Sequence, residues 1–187
     1  EKLIIAVNGF MTNCDVKLNR SFSLTLTASM TRPLTTEEDE TIRRPESWGV
    51  LSTQSMGATV RLTKDRRILI RNTAEVWPQQ NMSVADIELR KSIHLKGIKR
   101  RFPQLGDDII ESTWSGTICL SGNSANVFSE LENGMFAAGC YNASGIGLGI
   151  LFGTEIANFA SGKMTDEIRL IQTNSAPMLL PPQPFLR

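Results

Sequence analysis

The sequence predicts an α+β fold: a mainly antiparallel sheet with helices through the middle of the chain, flanked by buried apolar strands and a closing helix. Three observations predict it. An uninterrupted apolar run, Leu3 to Val7, opens the chain. Segments that alternate with period two follow from Ser21 onward. The stretch GMFAAGCYNASGIGLGILFGTEIANFASG, Gly134 to Gly162, reads as a strand, a glycine-rich turn and an apolar helix.

At 187 residues, with 41% hydrophobic and 21% charged residues, the chain has the composition of a globular protein with a sizeable core. Its 20 Lys and Arg against 19 Asp and Glu leave a formal charge of +1, so bulk electrostatics does not draw it to nucleic acid or an anionic membrane. Cys14, Cys119 and Cys140 are an odd count at wide spacing. That argues against a disulfide framework or a CxxC metal site and predicts buried thiols in a reducing, cytoplasmic setting. The single histidine, His94 in LRKSIHLKGIKRRFP, reads as the polar side of a helix and is expected at the surface. Without HExxH or clustered Asp/His, neither a metal centre nor a Ser-His-Asp triad is expected. No apolar run reaches the length of about 18 residues that marks a membrane helix.

Leu3 to Val7, closed by Asn8-Gly9, suits a strand buried on both faces in a parallel sheet. It has neither the basic n-region nor the length of a signal peptide. Ser21 to Arg32 alternates Phe22, Leu24 and Leu26 with Ser and Thr, the pattern of a half-buried antiparallel strand. After Pro33, Thr35-Thr36-Glu37-Glu38 resembles a helix N-cap with an acidic first turn. WGVLSTQSM, ATVRLTKD and RRILIRNT are three further candidate strands, with Lys64-Asp65-Arg66 as the hairpin turn between the last two.

From Ser83 the apolar period lengthens to between three and four, through Val84, Ile87, Ile93, Leu95 and Ile98. Ser83 with Asp86 makes an N-cap, and Gly97 or Pro103 marks the end of the helix. Lys96, Lys99, Arg100 and Arg101 gather at its C-terminal end, where the helix dipole favours cations on a solvated face. Ile109 to Gly139 then reads as strand, small polar loop (Ser121 to Asn126), short strand, a turn at Glu132-Asn133-Gly134 and the buried strand Met135 to Ala138. Within it Trp114-Ser115-Gly116 places an aromatic before small residues, either as packing or as a pocket wall.

The closing helix begins among glycines. Gly145, Gly147 and Gly149 fall within five residues, and each costs about 0.5–1 kcal/mol against alanine inside a helix. Something therefore approaches the backbone closely. It is either another element packed on Gly149 and Gly153, or a planar or anionic ligand resting on the free N–H groups at the helix start. GIGLG is too degenerate for a dinucleotide fingerprint, and no GxxxxGK is present.

GCYNASGIGLG followed by LFGTEIANFASG resembles the C-terminal signature of the D-amino-acid oxidase and glycine oxidase-like family of FAD-dependent oxidoreductases, nearest to enzymes of the gamma-glutamylputrescine oxidase type. LIIAVNGF, SFSLTLTASMTRPL, RRILIRNT and STWSGTICLSGNSANVF are similar to further family segments in the same order, so the resemblance covers nearly the whole chain. It implies an antiparallel substrate-domain sheet with helices, plus the last strands and helix of an incomplete FAD/NAD(P)-binding α/β domain. It divides the chain into residues 1–16 as a remnant of the FAD-binding domain, 17–118 as the substrate-binding cap, 119–162 as the return to the FAD-binding domain and 163–187 as a tail. The implied activity is oxidation of an amine or amino-acid C–N bond, with hydride passing to FAD and O2 reoxidising the flavin. Gly139, Asn142, Ser144, Gly145, Ile146 and Gly147 are the implied cofactor-binding positions. Tyr141, the only tyrosine, and Trp114 are those implied beside the flavin or substrate.

The chain departs from the family pattern in four places. It has no N-terminal GxGxxG. Asn-Ala-Ser-Gly stands at 142–145 where many relatives carry Asn-Gly-His-Gly, so Ser144 takes the place of a histidine. CLSGNSANVF replaces the usual Thr-Pro-Asp-Gly after the Trp-x-Gly passage, and IRNT replaces a glycine pair. The resemblance therefore implies a fragment whose missing N-terminal FAD-binding segment is a partner. The strands Leu3 to Val7 and Met135 to Ala138 are expected to pair with each other, and exposed apolar surface is expected to favour a homodimer. A non-catalytic substrate-binding or assembly module of a multi-chain flavin oxidoreductase and a ligand-free structural domain are the alternative readings.

Overall fold

The structure, a computed structural model, describes residues 1–14, 16, 19–54, 57–76, 82–132 and 134–181. In chain order it contains β1 (Leu3–Ile5), a 3-10 helix (Asn8–Cys14), β2 (Phe22–Thr31), α1 (Thr36–Thr41), β3 (Trp48–Leu51), β4 (Thr59–Leu62) and β5 (Ile68–Glu75). There follow α2 (Val84–Arg101), β6 (Ile110–Leu120), β7 (Val127–Glu132), β8 (Met135–Gly139), α3 (Gly145–Ala160) and α4 (Asp166–Asn174). The chain forms two compact units, one of Glu1–Leu24 with Thr117–Arg187 and the other of Thr25–Gly116. Both sheets and the helices make it an α+β protein.

The Thr25–Gly116 unit is built on the five-stranded sheet β3-β4-β5-β2-β6. The β4–β5 hairpin turns at Lys64-Asp65-Arg66 as expected, closed by the Thr63 N–H to the Arg67 carbonyl at 2.9 Å, with Arg66 at a φ of +61°. Thr35 caps α1 and Ser83 caps α2, each in a reciprocal box with the acidic residue three positions on. Helix α2 runs through Gly97 and stops just before Phe102-Pro103. A Cβ at Gly97 would lie 2.8 Å from Ile70 and 2.9 Å from Asn72, so this glycine lets the helix lie close on β5. The core includes Leu62, Ile68, Ile70, Ile98, Leu105 and Ile109, all essentially inaccessible to solvent. Each such side chain contributes about 1.5–3 kcal/mol of transfer free energy.

Two expectations are corrected in this unit. The first is the face of β2: the residues it buries are Thr25, Thr27, Ser29 and Thr31, while Leu24, Leu26, Ala28 and Met30 are only half-buried. The second follows from it. His94, expected at the surface, is fully buried, because Arg90, His94 and Ile98 recur every fourth residue on the inner side of α2. The hydroxyl-lined sheet gives the imidazole partners that an aliphatic sheet would lack. Ser29 Oγ lies 2.7 Å from Nδ1, and Thr27 and Thr73 lie 3.4 and 3.5 Å from Nε2. Arg90 is held by Glu75 at 2.7 Å. Lys96, Arg100 and Arg101 are exposed, as the solvated-face reading expects.

The other unit holds the sheet β1-β8-β7. The parallel pairing expected between the first and last apolar strands is present, with Leu3 opposite Met135, Ile4 opposite Phe136 and Ile5 opposite Ala137. Strand β8 is buried on both faces. Phe136 and Ala138 pack with Phe128, Phe152 and Ile156, and Ala137 packs with Ile5, Met11 and Val127. Burial on both faces was also expected of β1, but it lies at the sheet edge, with Leu3 54% and Ile4 40% exposed. The β7–β8 turn ends at Gly134 with a φ of +82°; Asn133, named in that turn, lies outside the described residues. Helix α4 forms within the segment read from sequence only as a tail, capped by Thr165 and burying Ile168 and Ile171.

Candidate functional site

Strand β8 delivers the chain to a tight turn, Cys140 to Ser144, and the turn delivers it to α3. Gly139 is required by protein packing: a Cβ there would lie 2.1 Å from the Met11 methyl and 3.2 Å from the Asn8 Cα. The next residue donates its N–H to Asn8 Oδ1 at 2.9 Å. Cys140, Asn142 and Ala143 then take positive φ values of +55°, +49° and +69°. Asparagine tolerates that region, but cysteine and alanine do not favour it, so the turn carries backbone strain.

What holds the strained turn is Asn142. Its Oδ1 accepts from the Ser121 N–H at 2.9 Å, and its Nδ2 donates to the carbonyls of Cys140 and Ser124 at 2.9 and 3.0 Å. Its own N–H donates to the Cys119 carbonyl at 3.2 Å. The Ser121–Asn126 loop is thereby tied to the turn, reinforced by Asn126 Nδ2 donating to the Cys140 carbonyl at 2.8 Å. The Asn142 side chain is thus engaged by protein. Asn8 and Ser121 were not singled out from sequence as positioning residues, since side chains that bond distant backbone leave no local signature.

The turn presents the start of α3 openly. Ser144 is its N-cap and makes no side-chain capping bond. The N–H groups of Gly145, Ile146 and Gly147 precede the first i−4 carbonyl of the helix, so they carry the positive end of its dipole without an intrahelical partner. A Cβ on Gly145 would touch only the Tyr141 ring, at 3.6 Å, and one on Gly147, Gly149 or Gly153 would meet nothing within 4 Å. The packing reading of Gly149 and Gly153 therefore has no neighbour among the described residues. Ala143, Ser144, Ile146, Gly147, Leu148 and Leu151 border a shallow, mainly apolar depression of about 540 Å³. Ile146 is 91% and Ile150 72% exposed.

Tyr141 is half-buried, its ring edge-on to Phe152 at 5.7 Å, and burial pushes its phenol pKa up. Behind the turn, Cys119 and Cys140 are both buried and hydrogen-bonded to each other, which holds Cys119 down to about 7 and pushes Cys140 up. Trp114 belongs to the other unit, where it is 41% exposed on β6. Thr113 Oγ1 bonds Ser29 Oγ at 2.7 Å on the inner face of the sheet, so alternation puts Trp114 on the outer face. Among the described residues no cluster of His, Cys, Asp or Glu gathers to hold a metal ion, and no helix is long and apolar enough to cross a membrane.

Residues 2–159 match the family model described as FAD dependent oxidoreductase. No curated protein matches the sequence significantly. Among solved structures, the chain is similar to glycine oxidase from Geobacillus kaustophilus, with 16% identity and a TM-score of 0.65 over 89% of this chain and 43% of that one. Iminodiacetate oxidase from Chelativorans sp. BNC1 gives 15% identity and a TM-score of 0.66 over 88% of this chain and 43% of that one. L-proline dehydrogenase from P. horikoshii gives 17% and 0.63 over 94% and 48%. The chain thus spans less than half the length of these structures.

Proposed function

The chain belongs to the FAD-dependent oxidoreductase family, and we propose that it forms the C-terminal part of an enzyme that oxidises a C–N bond of an amine or amino acid. The observation that carries the reading is the bare start of α3, with free N–H groups at Gly145, Ile146 and Gly147 and open space beside Gly147. These residues fit the electron-rich pyrimidine edge of a flavin: a helix N-terminus stabilises negative charge, and the missing side chains admit a flat ring. FAD, when bound, supplies the two-electron acceptor that is reoxidised by O2.

The chain's own residues supply position and field. Asn142 and Asn8 fix the turn, so the amides behind it are oriented before any ligand arrives, which makes their electrostatic contribution larger than that of mobile donors. Gly139 serves this role through packing, and Ser144 leaves the helix start uncapped. Tyr141 is the proposed aromatic group beside the reacting amine, where its ring orients the substrate and excludes water, and Trp114 is the proposed substrate-facing aromatic of the other unit. A dinucleotide-binding segment is the proposed partner of this portion, and that segment or a second copy covers the exposed Ile146 and Ile150 face.

The test is a visible absorption scan of purified protein carrying both portions, followed by anaerobic addition of candidate amines and amino acids. Oxidised-flavin bands that bleach with substrate support the reading. A protein that stays colourless with added FAD removes it.

A further inference from the structure

Cys119, near the end of β6, and Cys140, at the head of the turn before α3, meet in one buried cluster with Ile5, Met11 and Val127. Their thiols are hydrogen-bonded to each other. Backbone bonds fix the approach from both sides. The Cys119 carbonyl accepts from the Asn142 N–H at 3.2 Å, and the Cys140 N–H donates to Asn8 Oδ1 at 2.9 Å. The Cys140 carbonyl accepts from the side-chain amides of Asn126 and Asn142 at 2.8 and 2.9 Å. Buried cysteine packs as a small apolar residue, and its chemistry rather than its packing sets it apart. Placed in contact, two of them can form a bond to each other.

The two residues do not have equal access. Cys140 is fully buried, whereas Cys119 borders a cavity of about 210 Å³ that is also lined by Asn8, Gly9, Met11, Ser21 and Ser23. A water molecule occupies about 30 Å³ in the liquid, so the cavity admits a molecule of a few heavy atoms and offers it polar groups at the wall. Hydrogen bonds from the Cys140 thiol and the Ser21 hydroxyl favour the ionised form of Cys119 despite its burial, and the same contact keeps the proton on Cys140. Access and ionisation thus select the same residue as the nucleophile.

We infer that Cys119 and Cys140 are a peroxide-reactive dithiol, in which Cys119 attacks a peroxide entering from the cavity and Cys140 resolves the product to a disulfide. In the first step the Cys119 sulfur bonds to one peroxide oxygen, the O–O bond breaks, and the departing hydroxide takes up a proton and leaves as water. Cys119 is then a sulfenic acid. In the second step the Cys140 sulfur attacks the Cys119 sulfur, the S–O bond breaks, and the hydroxyl leaves as water with the Cys140 proton. The two thiols together lose two electrons, and one peroxide is reduced to two waters. Thiol reductants reopen the bond. Resting on the proposed oxidation of C–N bonds, the source of the peroxide is reoxidation of the flavin by O2, and the dithiol sits directly behind the turn that presents the α3 amides to the ring.

The test is a hydrogen peroxide titration of the reduced protein carrying both portions, followed by alkylation of free thiols in denaturant and non-reducing peptide mapping by mass spectrometry. A Cys119–Cys140 crosslink that dithiothreitol reverses is expected. In Cys140→Ser the hydroxyl keeps the hydrogen bond but cannot resolve, so dimedone is expected to label Cys119 as the sulfenic acid at least about 10-fold more than in the parent. In Cys119→Ser, Cys140 is expected to stay reduced, and replacing the exposed Cys14 by serine is expected to leave the crosslink unchanged. Full alkylation of both cysteines after peroxide, or a crosslink through Cys14, overturns the dithiol, and mapping the parent protein decides this without any variant. The crosslink needs no flavin, so a colourless protein that forms it keeps the dithiol and loses the oxidoreductase reading. A protein bleached by substrate whose two thiols stay free under peroxide keeps that reading and removes the dithiol. Crosslinking during turnover in air that catalase prevents assigns the peroxide to flavin reoxidation, and crosslinking by added peroxide alone rejects that source.

Discussion

The Oγ of Ser29 lies 2.7 Å from Nδ1 of His94, and both residues are fully buried. Burial holds the imidazole down to about 4 from an ordinary 6.5, so the folded protein keeps His94 neutral where the unfolded chain takes up a proton. The folded pKa is the lower one. Its stabilisation is therefore complete above pH 6.5 and is lost as pH falls toward 4. At about 1.4 kcal/mol per pH unit, the full effect is of order 3 kcal/mol. Urea unfolding across that window is expected to show a falling midpoint, and His94→Gln to flatten the fall. An identical slope in the variant assigns the effect to other groups.

Ala143 holds a φ of +69° in the turn before α3, a conformation that costs a residue with a Cβ about 1–2 kcal/mol. Ala143→Gly relieves that strain but adds freedom to the unfolded chain, worth about 0.4–1 kcal/mol in the opposite sense. A net gain of about 1 kcal/mol in denaturant unfolding is expected. A loss in its place means the turn is not strained at this residue.

Gly139 and Gly147 separate packing from ligand access. Gly139→Ala drives a methyl against Met11 and the Asn8 backbone, and is expected to destabilise the fold by about 1–3 kcal/mol. Gly147→Leu meets open space on a helix, and leucine is the better helix former by up to about 1 kcal/mol, so stability is expected to hold or rise. Flavin content, read as the ratio of visible to 280 nm absorbance, is expected to vanish in Gly147→Leu. Undiminished flavin in that variant places the ring elsewhere.

Much of the architecture was legible in local pattern. Period-two alternation located β2, β4 and β5, the Ser83–Asp86 box located the start of α2, and two apolar runs far apart in sequence pointed to the β1–β8 pair. The glycines at 145, 147 and 149 marked an exposed helix start because each opposes helix formation, so their presence needs a reason outside local stability. Helix α4 was not legible, since its short run of two buried isoleucines matters only once Phe136, Phe152 and Ile156 provide a surface for them.

By itself the sequence determined the strands of the middle sheet, the caps that begin α1 and α2 and the glycine-rich start of α3, because each depends on the covalent identity of a few neighbouring residues. Only the tertiary structure decided which face of β2 is buried. An alternating strand reads the same from either side, and it was the docking of α2 that turned the hydroxyls inward to meet His94 and left Leu26, Ala28 and Met30 on the other face. The same holds for Asn142, whose place in the turn rests on backbone groups some twenty residues away that no local window contains.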